Sequence, residues 1–230
     1  MPPSELRLPA PIFEDGHVLV LDKPAGMPVQ ADRSGDQSLL ELVRTAYPGR
    51  EVGMPHRLDR PVSGLIVFTL DAASLRNMVR QFRQRGVAKR YLAIVEGHPP
   101  AEGELAGRLQ RDGRGRKSRV RPVDAGPGSS MEARYPARLR FSRLAAGDRY
   151  TLLEVIPEGG AFHQIRALLA ASGHPIRGDV KYGARRGERD RSIALHAWKL
   201  HFLHPATGVP MDVEAPVPDR SLWPVLWPPA

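Results

Sequence analysis

The chain reads as short apolar runs cut by turns, with two stretches of helical period among them. "EDGHVLVLDKPAGMPV" opens with a turn at Asp15-Gly16, predicts a strand from His17 to Asp22, and turns again at Pro24 to Gly26. "SLLELVRTAYPG" predicts a helix: Ser38 and Glu41 have capping-box spacing, and Pro48-Gly49 ends it. "GLIVFTL" is continuously apolar and too short for a helix, so it predicts a buried strand. "DAASLRNMVRQFRQRG" has helical period, with Asp71 as its cap and Gly86 closing it. Leu75, Met78, Val79 and Phe82 form its expected core face, and Arg76, Arg80 and Arg83 lie off that face.

"VAKRYLAIVEG" predicts the next strand. "EARYPARLRFSRL" and "RYTLLEVIP" predict two more, joined over Ala145 to Asp148. "FHQIRALLAASG" predicts a helix closed by Gly173, and "SIALHAWKLHFLHPATGVPMDVEAP" two strands around a Pro/Gly turn. Strands dominate and do not alternate with helices as βαβ units. The expectation is an α+β fold with a mixed, mostly antiparallel sheet.

Composition narrows the class. With 230 residues, 41% hydrophobic and 26% charged, the chain suits one large domain or two small ones. No apolar run is long enough to span a bilayer, and the first residues lack the basic start and apolar stretch of a signal peptide. There is no cysteine, which excludes disulfides, cysteine-ligated zinc and thiol catalysis, and fits a reducing compartment. The expected location is cytoplasmic. The net charge of +9 suits a polyanionic partner, of which nucleic acid is the commonest in a cytoplasm. Residues 107 to 121, "GRLQRDGRGRKSRVR", hold seven Arg/Lys against one Asp. A solvated loop, a phosphate-contacting arm and a hairpin that inserts into a groove all suit this stretch.

Four clusters have candidate chemistry. In "MPHRLDRPVSGLIVF", Asp59 sits between Arg57 and Arg60, just before the buried strand, with Pro55 and Pro61 restricting the backbone on either side. It is either a structural ion pair or a positioned carboxylate. After "PEGG" come His163, Gln164 and Arg166. Arg166 is either a surface charge or a guanidinium that holds a carboxylate ionised. Tyr91, in a strand, is either core packing or a face on which a nucleobase stacks. "LHAWKLHFLHP" holds His196, His201 and His204. Strand alternation puts His196 and His201 on opposite faces and no carboxylate sits among them, so no metal site is expected. Neither GxxxxGK[ST] nor GxGxxG occurs, so no nucleotide cofactor is expected.

Taken in order, "HVLVLDKPAGMPV", "HRLDRPVSGLIVF", "KRYLAIVEG", "HQIRALLAASGHPIRGDVKYG" and "LHAWKLHFLHP" resemble the motifs of the RluA-type branch of the pseudouridine synthase superfamily, which modifies ribosomal and transfer RNA. The resemblance implies the pseudouridine synthase fold, with helices and loops around a catalytic cleft. It implies a catalytic domain over 13–216, an N-terminal extension over 1–12 and a tail over 217–230. About a dozen residues precede the first predicted strand, too few for the S4-type RNA-binding domain that many relatives have.

The implied roles carry over by position. Asp59 matches the essential aspartate, Arg166 the arginine paired with it, and Tyr91 the tyrosine packed on the target uracil. Arg57 matches the arginine that approaches the RNA near the flipped nucleotide, and Leu195 an apolar wall of the base pocket. His56, His163 and Gln164 are further candidate substrate-binding residues. Arg111, Arg114, Arg116, Lys117 and Arg119 are candidate phosphate contacts. The chain departs from the family at Ala161, where an arginine is usual, which bears on the choice of target. The implied enzyme isomerises uridine in RNA without a cofactor, acts as a monomer, and leaves the route of the aspartate open among C1′ attack, C6 addition and a glycal. The alternative is a non-catalytic RNA-binding or ribosome-assembly protein of the same fold.

Overall fold

The computed structural model describes residues 7–112, 117–121 and 136–227. It divides into two compact units: residues 1–89 with 196–216, and residues 90–195 with 217–230.

In the first unit, β1 (Pro11–Glu14), β2 (Val18–Lys23), β3 (Ser63–Thr69), β9 (Leu195–Leu203) and β10 (Pro210–Glu214) lie side by side in the order β1-β2-β3-β9-β10. β2 pairs antiparallel with β3, from Val18 opposite Thr69 to Lys23 opposite Gly64. β3 and β9 run parallel, with Ser63 opposite His196 and Gly64 opposite Ala197. All seven residues of β3 are buried, as a continuous apolar run requires when both faces are covered. Val18, Val20, Leu65, Val67, Leu200 and Phe202 build the core with Met78 of α2 (Ala72–Arg83).

The helices start where the sequence places them. α1 (Leu39–Ala46) has a complete capping box: Ser38 and Glu41 each bond the other's backbone. In α2 the Asp71 side chain accepts from the Ser74 amide at 2.8 Å. One expectation for α2 fails. Val79 is 45% exposed, and the buried face turns on Ser74 and Met78 with Leu75 and Phe82 partly covered. A 3.6-residue period lets only one of two adjacent apolar residues face the core, and Met78 takes that place. Gly86 closes the helix as expected, its amide donating to the Gln81 carbonyl at 2.8 Å, while the left-handed residue of the cap is Arg85 (φ 59°).

The second unit pairs β4 (Ala88–Glu96), β8 (Tyr150–Glu158), β7 (Ala137–Ala146), β5 (Glu102–Arg111) and β6 (Ser118–Arg121) antiparallel in the order β4-β8-β7-β5-β6. β5 and β6 make the basic stretch a hairpin, with Arg108 opposite Arg121 and Arg111 opposite Ser118. Helix α3 (Gln164–Ala171) packs against both. Gly107 is needed at that contact, since a Cβ there would come within 2.4 Å of Val120. α4 (Trp223–Leu226) buries Trp223 and Leu226 in the same unit.

Candidate active site

Asp59 begins a turn closed by the bond from the Val62 amide to its carbonyl, at 3.0 Å. Lys23, at the end of β2, is fully buried beside this turn. Its ammonium donates to the carbonyls of Pro24 (2.9 Å), Met27 (3.0 Å) and Arg60 (3.2 Å). One cation thus ties the 24–27 turn to the residue that follows Asp59. Burial pushes the Lys23 ammonium down to about 7, while the carboxylates of Asp59 and Asp22 pull it back up. Arg60 strengthens the tie: its Nε donates to the Gly26 carbonyl at 2.8 Å, and its guanidinium reaches Asp32, Ser34 and Asp36.

The segment before Asp59 is anchored by His56. Its Nε2 accepts from the Val67 amide of β3 at 2.9 Å, and its ring stacks on Phe82 with centroids 4.5 Å apart. Burial, with the Lys89 ammonium adding to it, holds the imidazole down at about 3. The ring is therefore neutral, as an acceptor nitrogen requires. Arg57 projects to the surface. Beyond the turn, Gly64 has φ +109°, and a Cβ there would lie 2.3 Å from the Ala197 carbonyl oxygen. Only glycine allows β3 and β9 to approach that closely. Next to it, Ser63 Oγ and His196 Nδ1 share a buried hydrogen bond of 2.9 Å.

The second unit holds the other candidates. Tyr91 is half-buried in β4, opposite Val155. Leu195 is buried at the start of β9, next to Ala194, whose carbonyl accepts from the Ile94 amide of β4. Arg166, on α3, is buried and grips Asp179 with both Nε (2.7 Å) and Nη2 (2.9 Å). His163 takes a left-handed backbone (φ 56°) just before the helix, stacks on Phe162 and bonds the Tyr182 hydroxyl through Nδ1. Gln164 uses its amide on the backbone: Oε1 accepts from Ala161, and Nε2 donates to Arg138 and Glu158. It pins the turn before α3 to the start of β7 and the end of β8.

The basic residues of the hairpin divide into two groups. Arg111 lies 4.6 Å over the Phe162 ring and Lys117 4.9 Å over the Tyr182 ring. Arg119 and Arg121 are exposed, and Arg121 Nε donates to Gln110. Arg114 and Arg116 fall outside the described residues.

The structure thus groups Asp59 with His56 and Arg57 in the first unit, and Arg166 with His163, Gln164, Arg111 and Lys117 in the second. Sequence reasoning missed Lys23, Asp179 and Tyr182. A lysine closing an apolar strand before "PAG" was the available signal for the first. Asp179 is thirteen residues from Arg166, beyond any helical spacing rule.

The sequence profile described as RNA pseudouridylate synthase matches residues 17–171. Ribosomal large subunit pseudouridine synthase C of Escherichia coli O157:H7 is 33% identical over 222 residues, covering 90% of this chain and 66% of that protein. The protein of the same name from Vibrio vulnificus (strain CMCP6) is 32% identical over 217 residues, covering 91% of this chain and 66% of that protein. The chain therefore spans just under two thirds of the length of these relatives. The solved human RNA pseudouridylate synthase domain containing 1 superposes with a TM-score of 0.73 at 26% identity, over 94% of this chain and 86% of that one. Human RNA pseudouridylate synthase domain containing 4 shares the fold, with a TM-score of 0.72 at 23% identity over 91% of this chain and 88% of that one. Asp59, Tyr91 and Arg166 all fall within the matched residues, and the chain belongs to the RNA pseudouridylate synthase family.

Proposed function

We propose that this chain isomerises specific uridines in RNA to pseudouridine, with Asp59 as the carboxylate that starts the reaction. The N1–C1′ bond breaks, the uracil turns over, and C5 joins C1′. No atom is gained or lost, so the protein's task is to hold a detached base and steady the charge that develops. The observation that carries the reading is the seat of Asp59 in a family motif. The carboxylate lies on a turn that the buried Lys23 ammonium and Arg60 fasten to the 24–27 turn, beside a wholly buried strand. A positioned carboxylate needs such a frame, whereas a surface ion pair does not.

In this reading Arg166 pairs with Asp59, Tyr91 stacks on the uracil, Leu195 walls the base pocket, and Arg57 enters the space left by the flipped nucleotide. The basic hairpin supplies phosphate contacts. Ribosomal RNA is the first substrate to test, because the relatives named above are ribosomal large subunit enzymes. The cytoplasm is the matching location and 13–216 the catalytic region.

The test is Asp59→Asn, assayed by nucleoside analysis of RNA from cells that lack the native gene and carry the variant. Pseudouridine at the target should vanish while RNA binding by the purified variant persists. Normal pseudouridine levels in the variant would overturn the assignment. Unchanged RNA in cells that lack the gene altogether would favour the non-catalytic, RNA-binding reading.

A further inference from the structure

Tyr182, in the 3₁₀ turn Val180–Tyr182, has no role in the reading above. Its ring and its hydroxyl serve different groups. The ring lies under two cations, with the Arg166 guanidinium carbon 5.0 Å and the Lys117 Nζ 4.9 Å from its centroid. The hydroxyl oxygen accepts from the Ser118 amide at 2.8 Å and is 2.8 Å from His163 Nδ1. Ser118 is the first residue of β6, where the basic hairpin returns from its tip. Its own hydroxyl donates to the Phe162 carbonyl at 2.6 Å.

The same turn grips Arg166 a second time. The Tyr182 amide donates to the Asp179 carbonyl, and the Asp179 carboxylate holds Arg166 with two bonds. Arg166 therefore has a carboxylate on one side and an aromatic face on another. A bidentate guanidinium pair of this kind fixes direction as well as charge. Because the face belongs to a ring whose oxygen is bonded to β6, the hairpin and the arginine share one rigid part. Phe162 repeats the arrangement nearby: its ring stacks on His163 and also carries the Arg111 guanidinium.

We propose that Tyr182 is a positioning residue that fastens the basic hairpin to Arg166, so that RNA phosphates bound on the hairpin set the direction of that guanidinium. The proposal rests on Arg166 belonging to the reacting site. The ring alone would hold the two cations. The hydroxyl is what links them to the hairpin backbone, since a phenylalanine would leave the buried Ser118 amide without an acceptor.

The test uses the full chain and a ribosomal RNA fragment that contains the target uridine. Tyr182→Phe keeps the ring and removes both hydroxyl bonds. Its single-turnover rate at saturating RNA should fall about tenfold with RNA affinity unchanged, in line with the cost of slight misplacement. Arg119→Gln combined with Arg121→Gln should lower the same rate in the wild-type background and lower it no further in the Tyr182→Phe background. Additive losses would overturn the proposal, as would a wild-type rate in Tyr182→Phe. A loss that disappears on cooling well below the variant's melting midpoint would also overturn it, because it would report stability alone. Arg166→Lys separates the two readings. If that variant keeps the full rate, the role of Arg166 in the reaction fails. If it loses activity while Tyr182→Phe does not, only the positioning role of Tyr182 fails.

Discussion

Arg60 and Gly26 hold each other twice. The Gly26 amide donates to the Arg60 carbonyl, and the Arg60 Nε donates back to the Gly26 carbonyl, both at 2.8 Å. This reciprocal pair fixes the residue after Asp59 through polar bonds, and the Lys23 ammonium adds a third bond to the same Arg60 carbonyl.

Arg60→Ala should therefore disturb function more than stability. Removing the bond to Gly26 costs about 1 kcal/mol. The half-exposed pairs with Asp32 and Asp36 add little, because solvent screens them. The single-turnover rate should fall at least about tenfold as the turn loosens. Urea denaturation and rapid-quench kinetics on the same preparation check both numbers. A variant with full rate would show that the turn needs no such brace.

His56 predicts a pH dependence of stability. Its pKa is about 3 in the fold and 6.5 as the ordinary value. Below pH 6.5 the unfolded chain takes up a proton that the folded chain refuses. Stability is therefore lost as the pH falls from about 6.5 toward 3. His56→Gln keeps an acceptor for the Val67 amide and has no such proton. The difference in unfolding free energy between wild type and variant, measured by denaturation at pH 7, 6, 5 and 4, should shift steadily in the variant's favour on acidification. A constant difference would show that the imidazole is protonated within the fold.

Gly64→Ala should not fold well. The new methyl group would meet the Ala197 backbone at 2.3 Å, at a φ of +109° that side chains avoid. The expected loss exceeds about 3 kcal/mol, seen as a drop in the urea midpoint or as loss of folded protein on expression. A midpoint equal to wild type would mean that the β3–β9 spacing adjusts freely.

The outer face of the hairpin should govern the salt dependence of RNA binding. Arg119, Arg121 and Arg111 are all exposed, but Arg111 and the half-buried Lys117 each lie over a ring. Replacing Arg119 and Arg121 with glutamine should lower the slope of log affinity against log salt by about 0.7 to 0.9 for each phosphate that is no longer neutralised. Replacing Arg111 alone should change it less. Titrations from low to moderate salt separate the two, and equal slopes for all variants would place the phosphates elsewhere.

Much of this frame was legible in the sequence because it follows short-range rules. Ser38 and Glu41 announce α1, Asp71 announces α2, and the unbroken apolar run of β3 could only be a covered strand. Asp59 was legible as a candidate because its neighbours restrict the backbone. What the sequence hid depends on contacts between distant positions. Lys23 looks like the polar end of a strand until Arg60, thirty-seven residues on, supplies a carbonyl for it. The β5–β6 hairpin was legible only as one of three readings, because guanidinium groups occupy both strands and mask the alternation that marks a sheet. His56 and Gln164 read as polar residues available for a ligand, and both turn out to bond the protein's own backbone. Val79 was placed on the core face beside Met78 because pattern alone cannot rank two adjacent apolar residues.

β3 has no residue open to solvent; β2 pairs with it from Gly64 to Thr69, and β9 pairs with it at Ser63 and Gly64. Its amides cannot meet water through fraying or small local openings, so their deuterium uptake should follow complete unfolding of the unit. The turn that begins at Asp59 leads directly into this strand. Heat or denaturant would then release the Asp59 turn only by melting the whole unit, and the proposed activity should vanish along the same curve as structure.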